Sequence, residues 1–292
     1  LDTIDLDLEG VGLTDAASGQ RRADAVAQLQ KDYRAKGRNL AVWLTLPVVT
    51  TGLSEDGTNT VAMFLKAGVD IAGVNAMTMN FGDTREEGQS MAAASIAALT
   101  STQRQLGVLY NTAGTRLGIH SLWRKVGATP MLGQNDQRGQ IFTLQDAADL
   151  NTFALSAGVG RMSVWSLNRD QPCSVNYPDI TRVNDSCSGF PQGTERFAAA
   201  LAHDFAGTPQ QAAGSVTTPE PTASASVIVD DPATSPYPIW NELSSYPAGT
   251  KIVLRGNVYE AKWWTRGDVP DNPVLQEAQT PWRLIGPVLP GE

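Results

Sequence analysis

Residues 1–10 read LDTIDLDLEG, and this stretch decides the fold that we predict. Side chains alternate across a β-strand, so its acids fall on one side and its large apolar residues on the other. The two sets are Asp5, Asp7 and Glu9 on one side, and Ile4, Leu6 and Leu8 on the other. We therefore predict a strand with one acidic face and one apolar face.

Stacked carboxylates have consequences for their protonation. Both faces of a strand are normally covered in a parallel sheet, and like charges at low dielectric cannot all ionise. One acid would then stay protonated near neutral pH, as a general acid must. Glu9 comes last on the strand, at the end where barrel active sites lie. The alternative is an exposed edge strand with a solvated acidic face.

Four further apolar segments follow the first one, Thr3–Leu8, with helical patterns between them. They are Leu40–Leu46, Ile71–Met79, Ala128–Leu132 and Met162–Ser166. Capping boxes of Thr84 with Glu87, and of Thr143 with Asp146, mark two helix starts. This alternation predicts an α/β fold with a parallel sheet, and a β/α barrel and a doubly wound sheet both fit it.

Composition and charge exclude several classes of function. The net charge is −8 and Lys and Arg do not cluster, so we exclude nucleic acid and anionic membrane surfaces as partners. The sequence has no apolar run of about 18 residues that could span a bilayer. It has no glycine-rich phosphate loop, and two histidines with two cysteines do not make a usual zinc site. We predict no metal and no cofactor.

The acids of the first strand match a known motif. Their spacing, D-x-x-D-x-D-x-E at Asp2, Asp5, Asp7 and Glu9, resembles the fourth-strand signature of family 18 glycoside hydrolases, the chitinases and their relatives. The resemblance implies a (β/α)8 TIM barrel and substrate-assisted hydrolysis. It implies that Glu9 is the general acid and base, that Asp7 orients the sugar's N-acetyl group, and that Asp5 tunes Asp7. The resemblance also implies that Asp2 is a substrate-binding residue.

Later segments resemble other parts of that family's site. Residues 77–82, MTMNFG, are similar to its sixth-strand motif, with Asn80 in place of an aspartate. We expect Asn80 to reduce or alter the rate, while Met77 either contacts substrate or packs in the core. Trp165 resembles the tryptophan beneath the reacting sugar, with a buried core tryptophan as the alternative. Gln134, at the end of the seventh strand, could hydrogen-bond a sugar.

Composition also divides the chain into three parts. Residues 207–236 are rich in Gly, Ala, Ser, Thr and Pro, which predicts an extended linker. It separates a partial catalytic barrel at 1–206 from a small domain at 237–292. Short strand-like runs predict that the small domain is a compact antiparallel all-β module.

The small domain resembles the chitin- and cellulose-binding modules of families 5 and 12. The resemblance implies a flat aromatic surface for polysaccharide, drawn from Trp240, Tyr259, Trp263 and Trp264. Trp263 and Trp264 are adjacent, so on a strand they would face opposite ways. We therefore expect one of them inside the module and the other toward the polysaccharide.

The chain opens at Leu1 without a leader, and we read it as a piece of a longer precursor. The matched motif belongs on the fourth strand of eight, so the resemblance implies a barrel that lacks roughly its first three β/α units. The first strand would then be an open edge. We expect a chain of this length to be unstable or inactive, while the small module folds regardless.

The two cysteines bear on the compartment. A disulfide between Cys173 and Cys187 would close a loop of about 15 residues, worth about 3 kcal/mol of chain entropy. It would fit an oxidising compartment and a secreted, extracellular protein. Two free buried thiols are the alternative.

The leading hypothesis is a monomeric chitinase that cleaves β-1,4-linked N-acetylglucosamine with retention. A chitin-binding lectin on a decayed barrel is the second reading. Asp5, Asp7 and Glu9 weigh against that lectin, and Asn80 weighs for it. A third reading is an endo-β-N-acetylglucosaminidase that acts on glycoproteins.

Overall fold

The computed structural model describes residues 1–174, 183–205, 230–271 and 280–288. The first two of these ranges form an α/β unit. Its strands are β1 (Thr3–Asp7), β2 (Ala41–Val49), β3 (Gly52–Leu53), β4 (Ile71–Met77), β5 (Val126–Ala128), β6 (Gly133–Gln134), β7 (Ile141–Phe142) and β8 (Arg161–Met162). Its helices are α1 (Val11–Thr14), α2 (Ala16–Ala35), α3 (Glu55–Lys66), α4 (Met91–Thr112), α5 (Ile119–Arg124), α6 (Leu144–Ala157) and α7 (Phe197–Ala202).

Five of the strands form one parallel sheet in the order β1-β2-β4-β5-β8. A doubly wound sheet reverses its strand order at one point, and this sheet does not. Of the two predicted arrangements, the barrel-like one is therefore observed. The sheet is curled like half of a barrel, since Asp5 of β1 and Arg161 of β8, at opposite ends of the strand order, lie 2.8 Å apart.

The main hydrophobic core lies between the parallel sheet and the helices. It contains fully buried side chains from both layers, including Leu44, Val74, Phe64, Leu99 and Leu150. Gln30 of α2 ties the helix layer to the sheet. Its side chain donates to the carbonyls of Leu40 and Asp70 and accepts from the Asp70 N–H. These bonds satisfy backbone groups just before β2 and β4, where the ladders begin.

The start of α4 differs from the prediction. Ser90, not Thr84, caps the helix by accepting a hydrogen bond from the Ala93 N–H. The predicted capping box of Thr84 with Glu87 is wrong, because Gly88 has a φ of 77° and separates that pair from the helix.

The other predicted cap is confirmed, and helix α3 is among those that had no prediction. Thr143 and Asp146 form the capping box of α6, which ends at Gly158 in the left-handed conformation. Helix α3 begins after Ser54, whose side chain accepts from the Gly57 N–H. The serine followed by two acids was a usable signal for that helix start.

Strand β5 ends earlier than the predicted range Ala128–Leu132. Pro130 has no N–H to continue a regular ladder. Pairing with the segment after β8 nevertheless resumes, since Met131 and Trp165 form a parallel bridge. These two extended segments prolong the sheet at its carboxyl end.

The remaining described residues form a small antiparallel unit, as predicted. Its strands are β9 (Ser245–Tyr246), β10 (Lys251–Leu254), β11 (Asn257–Ala261), β12 (Thr265–Arg266) and β13 (Trp282–Pro287). Strands β10, β11 and β13 form one sheet, and β9 pairs with β12. The core of this unit includes Tyr246, Ile252 and Trp282, together with Val108 of α4. Of the predicted linker, residues 207–229 lie outside the described residues.

A disulfide joins Cys173 and Cys187, with an S–S distance of 2.09 Å. The predicted pairing is confirmed, although residues 175–182 of its loop lie outside the described residues. None of the helices in the described ranges is both long and apolar enough to cross a membrane.

Candidate active site

The acids of β1 lie on one side of the strand, as the alternation predicts. On the other side Ile4 and Leu6 are partly buried, and Leu8 is buried against the helices. The Leu8 N–H donates to the Thr45 carbonyl and extends the pairing to the residue before Glu9. The acidic side therefore faces the inside of the curled sheet.

These acids are more exposed than the predicted covered strand would make them. Asp7 and Glu9 are exposed, and the side chain of Asp5 is 30% exposed. The prediction of a buried carboxylate stack is wrong, because β1 is an edge strand: among the described residues only β2 pairs with it. The open edge expected for the first strand of an incomplete barrel is observed among the described residues, and it leaves the acids partly exposed.

Asp7 nevertheless has a perturbed pKa. Partial burial raises the pKa of its carboxyl above the ordinary value, and the negative charge of Asp5 raises it further. Asp7 therefore holds its proton to higher pH than an isolated aspartate does.

Asp7→Asn is expected to increase stability at neutral pH. A carboxyl whose folded-state pKa is raised favours the fold at low pH, and this contribution is lost as the pH rises through that pKa. Asparagine does not ionise, so the variant should match the wild type at the lowest pH and unfold at higher temperature near pH 7. Thermal unfolding at a series of pH values measures this.

Asp2→Asn provides a control of opposite sign. A hydrogen bond from Arg38 lowers the pKa of Asp2, so this carboxylate favours the fold above its unfolded-state pKa and loses that effect as the pH falls. The Asp2 variant should therefore be less stable than the wild type at neutral pH. Parallel stability curves for Asp7→Asn and the wild type would contradict the electrostatic argument.

Side chains from three other strands, β2, β4 and β8, form a connected group around Asp5 inside the curled sheet. The Thr45 hydroxyl donates to one Asp5 carboxylate oxygen at 2.7 Å, and the Asn75 amide donates to the Thr45 hydroxyl at 3.2 Å. Arg161 Nη1 lies 2.8 Å from the other carboxylate oxygen. The Arg161 guanidinium also lies over the Trp43 ring, 5.1 Å from its centre.

Sequence reasoning missed these partners of Asp5. Two glycines make room for them: a Cβ on Gly73 would lie 2.3 Å from the Trp43 ring, and a Cβ on Gly127 would lie 2.8 Å from Asn75 Oδ1 and 3.0 Å from Arg161 Cβ. Glycine within a strand often marks such a close approach. That signal was present, but the strand register was needed to show what approaches.

Asn80 is bound by the protein itself. Its side-chain amide donates to Asp136 at 2.8 Å and its amide oxygen accepts from the Gln137 N–H at 3.2 Å. Its backbone N–H donates to the Asn135 side chain at 3.1 Å. Asn80 therefore joins the end of β4 to the loop at 135–137.

Trp165 is 48% exposed, so the alternative of a buried core tryptophan does not hold. Its partner in the parallel bridge, Met131, has its sulfur 4.0 Å from the Asn80 amide nitrogen. Met77 ends β4 opposite Pro47 and is partly buried. Trp165 and Met77 are thus placed at the carboxyl end of the sheet, the end at which β1 runs into Glu9.

Two predicted substrate-binding residues have other contacts. The Gln134 side chain donates to the Gly189 carbonyl at 3.4 Å. Asp2 precedes β1 and pairs with Arg38 at 2.8 Å, at the opposite end of the strand from Glu9. The structure does not bring Asp2 to the acids at the carboxyl end.

Two tryptophans of the small unit are both on its surface. Trp263 is 46% exposed and Trp264 is 61% exposed. The prediction that one of them packs inside is wrong, because β11 ends at Ala261 and both residues lie in the following loop, where strand alternation does not apply. The Lys262 ammonium lies 4.8 Å from the Trp263 ring centre.

The other two aromatic residues predicted for the binding surface of this unit are less exposed to solvent. Tyr259 is only 1% exposed and belongs to the core with Trp282, so its predicted place on the surface is wrong. Trp240 is partly buried against the same core. In the described ranges, no group of three or more His, Cys, Asp and Glu residues could hold a metal ion.

Known proteins similar to this chain are chitinases. It is 34% identical over 183 residues to a probable bifunctional chitinase/lysozyme of Escherichia coli and 34% identical over 184 residues to endochitinase 11 of Metarhizium anisopliae. Each match covers 60% of this chain, and it covers 20% and 34% of the two relatives. No protein-family model matches the chain.

The fold is similar to solved chitinase structures. The crystal structure of the catalytic domain of a hyperthermophilic chitinase from Pyrococcus furiosus matches with a TM-score of 0.55 and 26% identity, over 68% of this chain and 58% of that one. Catalytic-site mutants of active domain 2 of a Pyrococcus furiosus chitinase, complexed with chito-oligosaccharides, match with the same TM-score and 25% identity. The curled parallel sheet is thus similar to chitinase catalytic domains.

Proposed function

We propose that this chain carries part of a chitinase active site and hydrolyses β-1,4 linkages between N-acetylglucosamine residues with retention. One observation carries the proposal. Asp5 and Asp7 lie on the inner side of the half-barrel strand β1, and Glu9 follows its carboxyl end by two residues, in a chain whose relatives are named chitinases.

The proposed reaction has two steps. In the first, Glu9 donates a proton to the glycosidic oxygen, while the carbonyl oxygen of the substrate's N-acetyl group attacks the anomeric carbon and the glycosidic bond breaks. In the second, Glu9 removes a proton from water, which attacks the same carbon and opens the ring formed by the N-acetyl group. Substrate assistance replaces the enzyme nucleophile that most retaining glycosidases use.

Asp7 has a separate role in this mechanism. Its carboxyl group orients the N-acetyl group and, when ionised, stabilises the positive charge that develops on it. Partial burial raises the pKa of Asp7, and the charge of Asp5, two residues away, raises it further. The exposed ring of Trp165 offers an apolar face for the reacting sugar.

We also propose that the small unit binds chitin through Trp263 and Trp264, and that the protein acts outside the cell. Two large exposed indole rings in one loop support the first part, since large exposed apolar patches often mark binding surfaces. The disulfide between Cys173 and Cys187 supports the second.

A catalytically weak chitin-binding lectin is the second candidate. Asn80 favours it, because this position lacks a carboxylate and both polar ends of its side chain are engaged by the loop at 135–137. The open edge of β1 favours it as well. Further strands beside β1 would enclose the acids, so we expect the present length of chain to turn over chitin slowly.

Turnover and unfolding measurements separate these readings. The chain would be incubated with colloidal chitin and with a fluorogenic chitobioside, and product release, binding and thermal unfolding would be followed. Slow product release supports the hydrolase. Binding with no product, from a chain that unfolds cooperatively, supports the lectin. A sharp unfolding transition with high activity contradicts the expectation drawn from the open edge.

A further inference from the structure

An ion pair crosses the inside of the curled sheet. Asp5 is in β1 and Arg161 begins β8, and these strands are the two ends of the strand order. Arg161 Nη1 nevertheless lies 2.8 Å from Asp5 Oδ2. No N–H of Nη1 is well aligned for a hydrogen bond, so the contact is a charge pair between opposite edges of the sheet.

The surroundings hold the Arg161 guanidinium at this place. It lies over the face of Trp43, 5.1 Å from the ring centre, where a cation is attracted by the aromatic ring. On the neighbouring strand, Gly127 leaves the space that a side chain would take: its Cβ would be 3.0 Å from Arg161 Cβ. Asp5 of β1 and Trp43 of β2 therefore hold the guanidinium, and Gly127 of β5 leaves room for the base of the Arg161 side chain.

The charges near Asp5 are few. Asp7 lies on the same side of β1 as Asp5, and Arg161 of β8 forms an ion pair with Asp5. The other side chains that meet this group are neutral, namely Trp43 and Thr45 of β2 and Asn75 of β4. In the described part of the chain, Arg161 is the cation at ion-pair distance from Asp5.

We propose that Arg161 is a positioning residue for the catalytic acids: it balances the charge of Asp5 and holds that carboxylate beside Asp7 from across the sheet. The proposal rests on the proposed chitinase function. In this proposal, a residue of the last parallel strand, β8, sets the charge balance of the acids on the first strand, β1. The two edges of the sheet therefore both contribute to the electrostatics of the site.

Removal of the Arg161 charge should change the titration of Asp7. The negative charge of Asp5 already raises the pKa of Asp7, after the larger effect of partial burial. Without the guanidinium, the negative charge of Asp5 is no longer balanced and ionisation of Asp7 becomes harder. We expect Arg161→Met to raise the pKa of Asp7 by about one pH unit, and Arg161→Lys to restore most of the original value.

The test is an NMR titration of the whole chain labelled with carboxyl-¹³C aspartate. The Asp7 signal is assigned with Asp7→Asn, and its pKa is compared in the wild type, Arg161→Met and Arg161→Lys. Arg38→Met is the matched control: it removes an ion pair with Asp2 of the same 2.8 Å length at the other end of β1, and it should leave Asp7 unchanged.

An unchanged Asp7 pKa in Arg161→Met would overturn the proposal. Arg161→Gln is a second neutral variant. If both neutral variants fail to fold while Arg161→Lys folds, the charge serves only the fold and the proposal is also wrong.

Activity is read separately, because the titration does not need turnover. If the chain hydrolyses chitin, the acidic limb of the kcat/KM profile should move to higher pH in Arg161→Met by the same amount as the Asp7 pKa. A titration shift in a chain that releases no product would reject the proposed hydrolysis and retain the electrostatic link between Arg161 and Asp7.

Discussion

Glu9→Gln should reduce the release of product from colloidal chitin by a factor of about 10² to 10⁴, the usual contribution of a general acid and base. Glutamine keeps the size of the side chain but has no proton to donate to the glycosidic oxygen at neutral pH. Binding of chito-oligosaccharides should change little, because the variant removes an acid and leaves the apolar surfaces in place. Initial rates and binding measured on the same preparations distinguish the two effects.

Glu55→Gln is the matched control for this experiment. Glu55 is exposed in the first turn of α3, on the helix layer and not on the inner side of the sheet. The same chemical change there should leave turnover at the wild-type level. Hydrolysis that survives Glu9→Gln would show that the assignment of the acid is wrong. A wild-type rate no higher than that of Glu9→Gln would instead favour the lectin.

Replacing both Trp263 and Trp264 by alanine should weaken binding to insoluble chitin by about 30-fold or more, corresponding to about 2 kcal/mol. The two rings are exposed and adjacent in one loop, so each offers an apolar face that a sugar ring can contact. Each single substitution should cause a smaller loss. Depletion assays with chitin particles give the binding constant.

Leu243→Ala is the control for this second experiment. Leu243 is 77% exposed in the same unit, and its loss removes apolar surface without removing an aromatic ring. Because neither tryptophan is in the core around Tyr259 and Trp282, the double variant should unfold at nearly the wild-type temperature. Equal chitin binding by the double variant and the wild type would contradict the proposed binding surface.

The local pattern of the chain was sufficient for much of the fold. Strict alternation in residues 3–8 predicted which side of β1 is acidic, because side chains of a strand must alternate. The capping box of Thr143 and Asp146 was also local, since its partners are three residues apart. Parallel pairing followed from strands that alternate with helices, while the strand order did not.

The sequence predictions were wrong where one local pattern is compatible with more than one tertiary structure. Strand alternation was applied to Trp263 and Trp264, but β11 ends at Ala261 and the two tryptophans follow it. The degree of burial of the acids depended on whether a strand lies beside β1, and only β2 does so among the described residues. The resemblance to chitin-binding modules placed Tyr259 on the surface, whereas it packs in the same core as Trp282.

The sequence by itself determined the spacing of Asp5, Asp7 and Glu9 and the face of the strand that carries them. Their spacing is a property of one extended segment, and backbone geometry sets it. Only the tertiary structure decided that Arg161, 156 positions further along, lies against Asp5. That contact depends on the register of five strands, the curl of their sheet and the space left at Gly127, none of which a single segment contains.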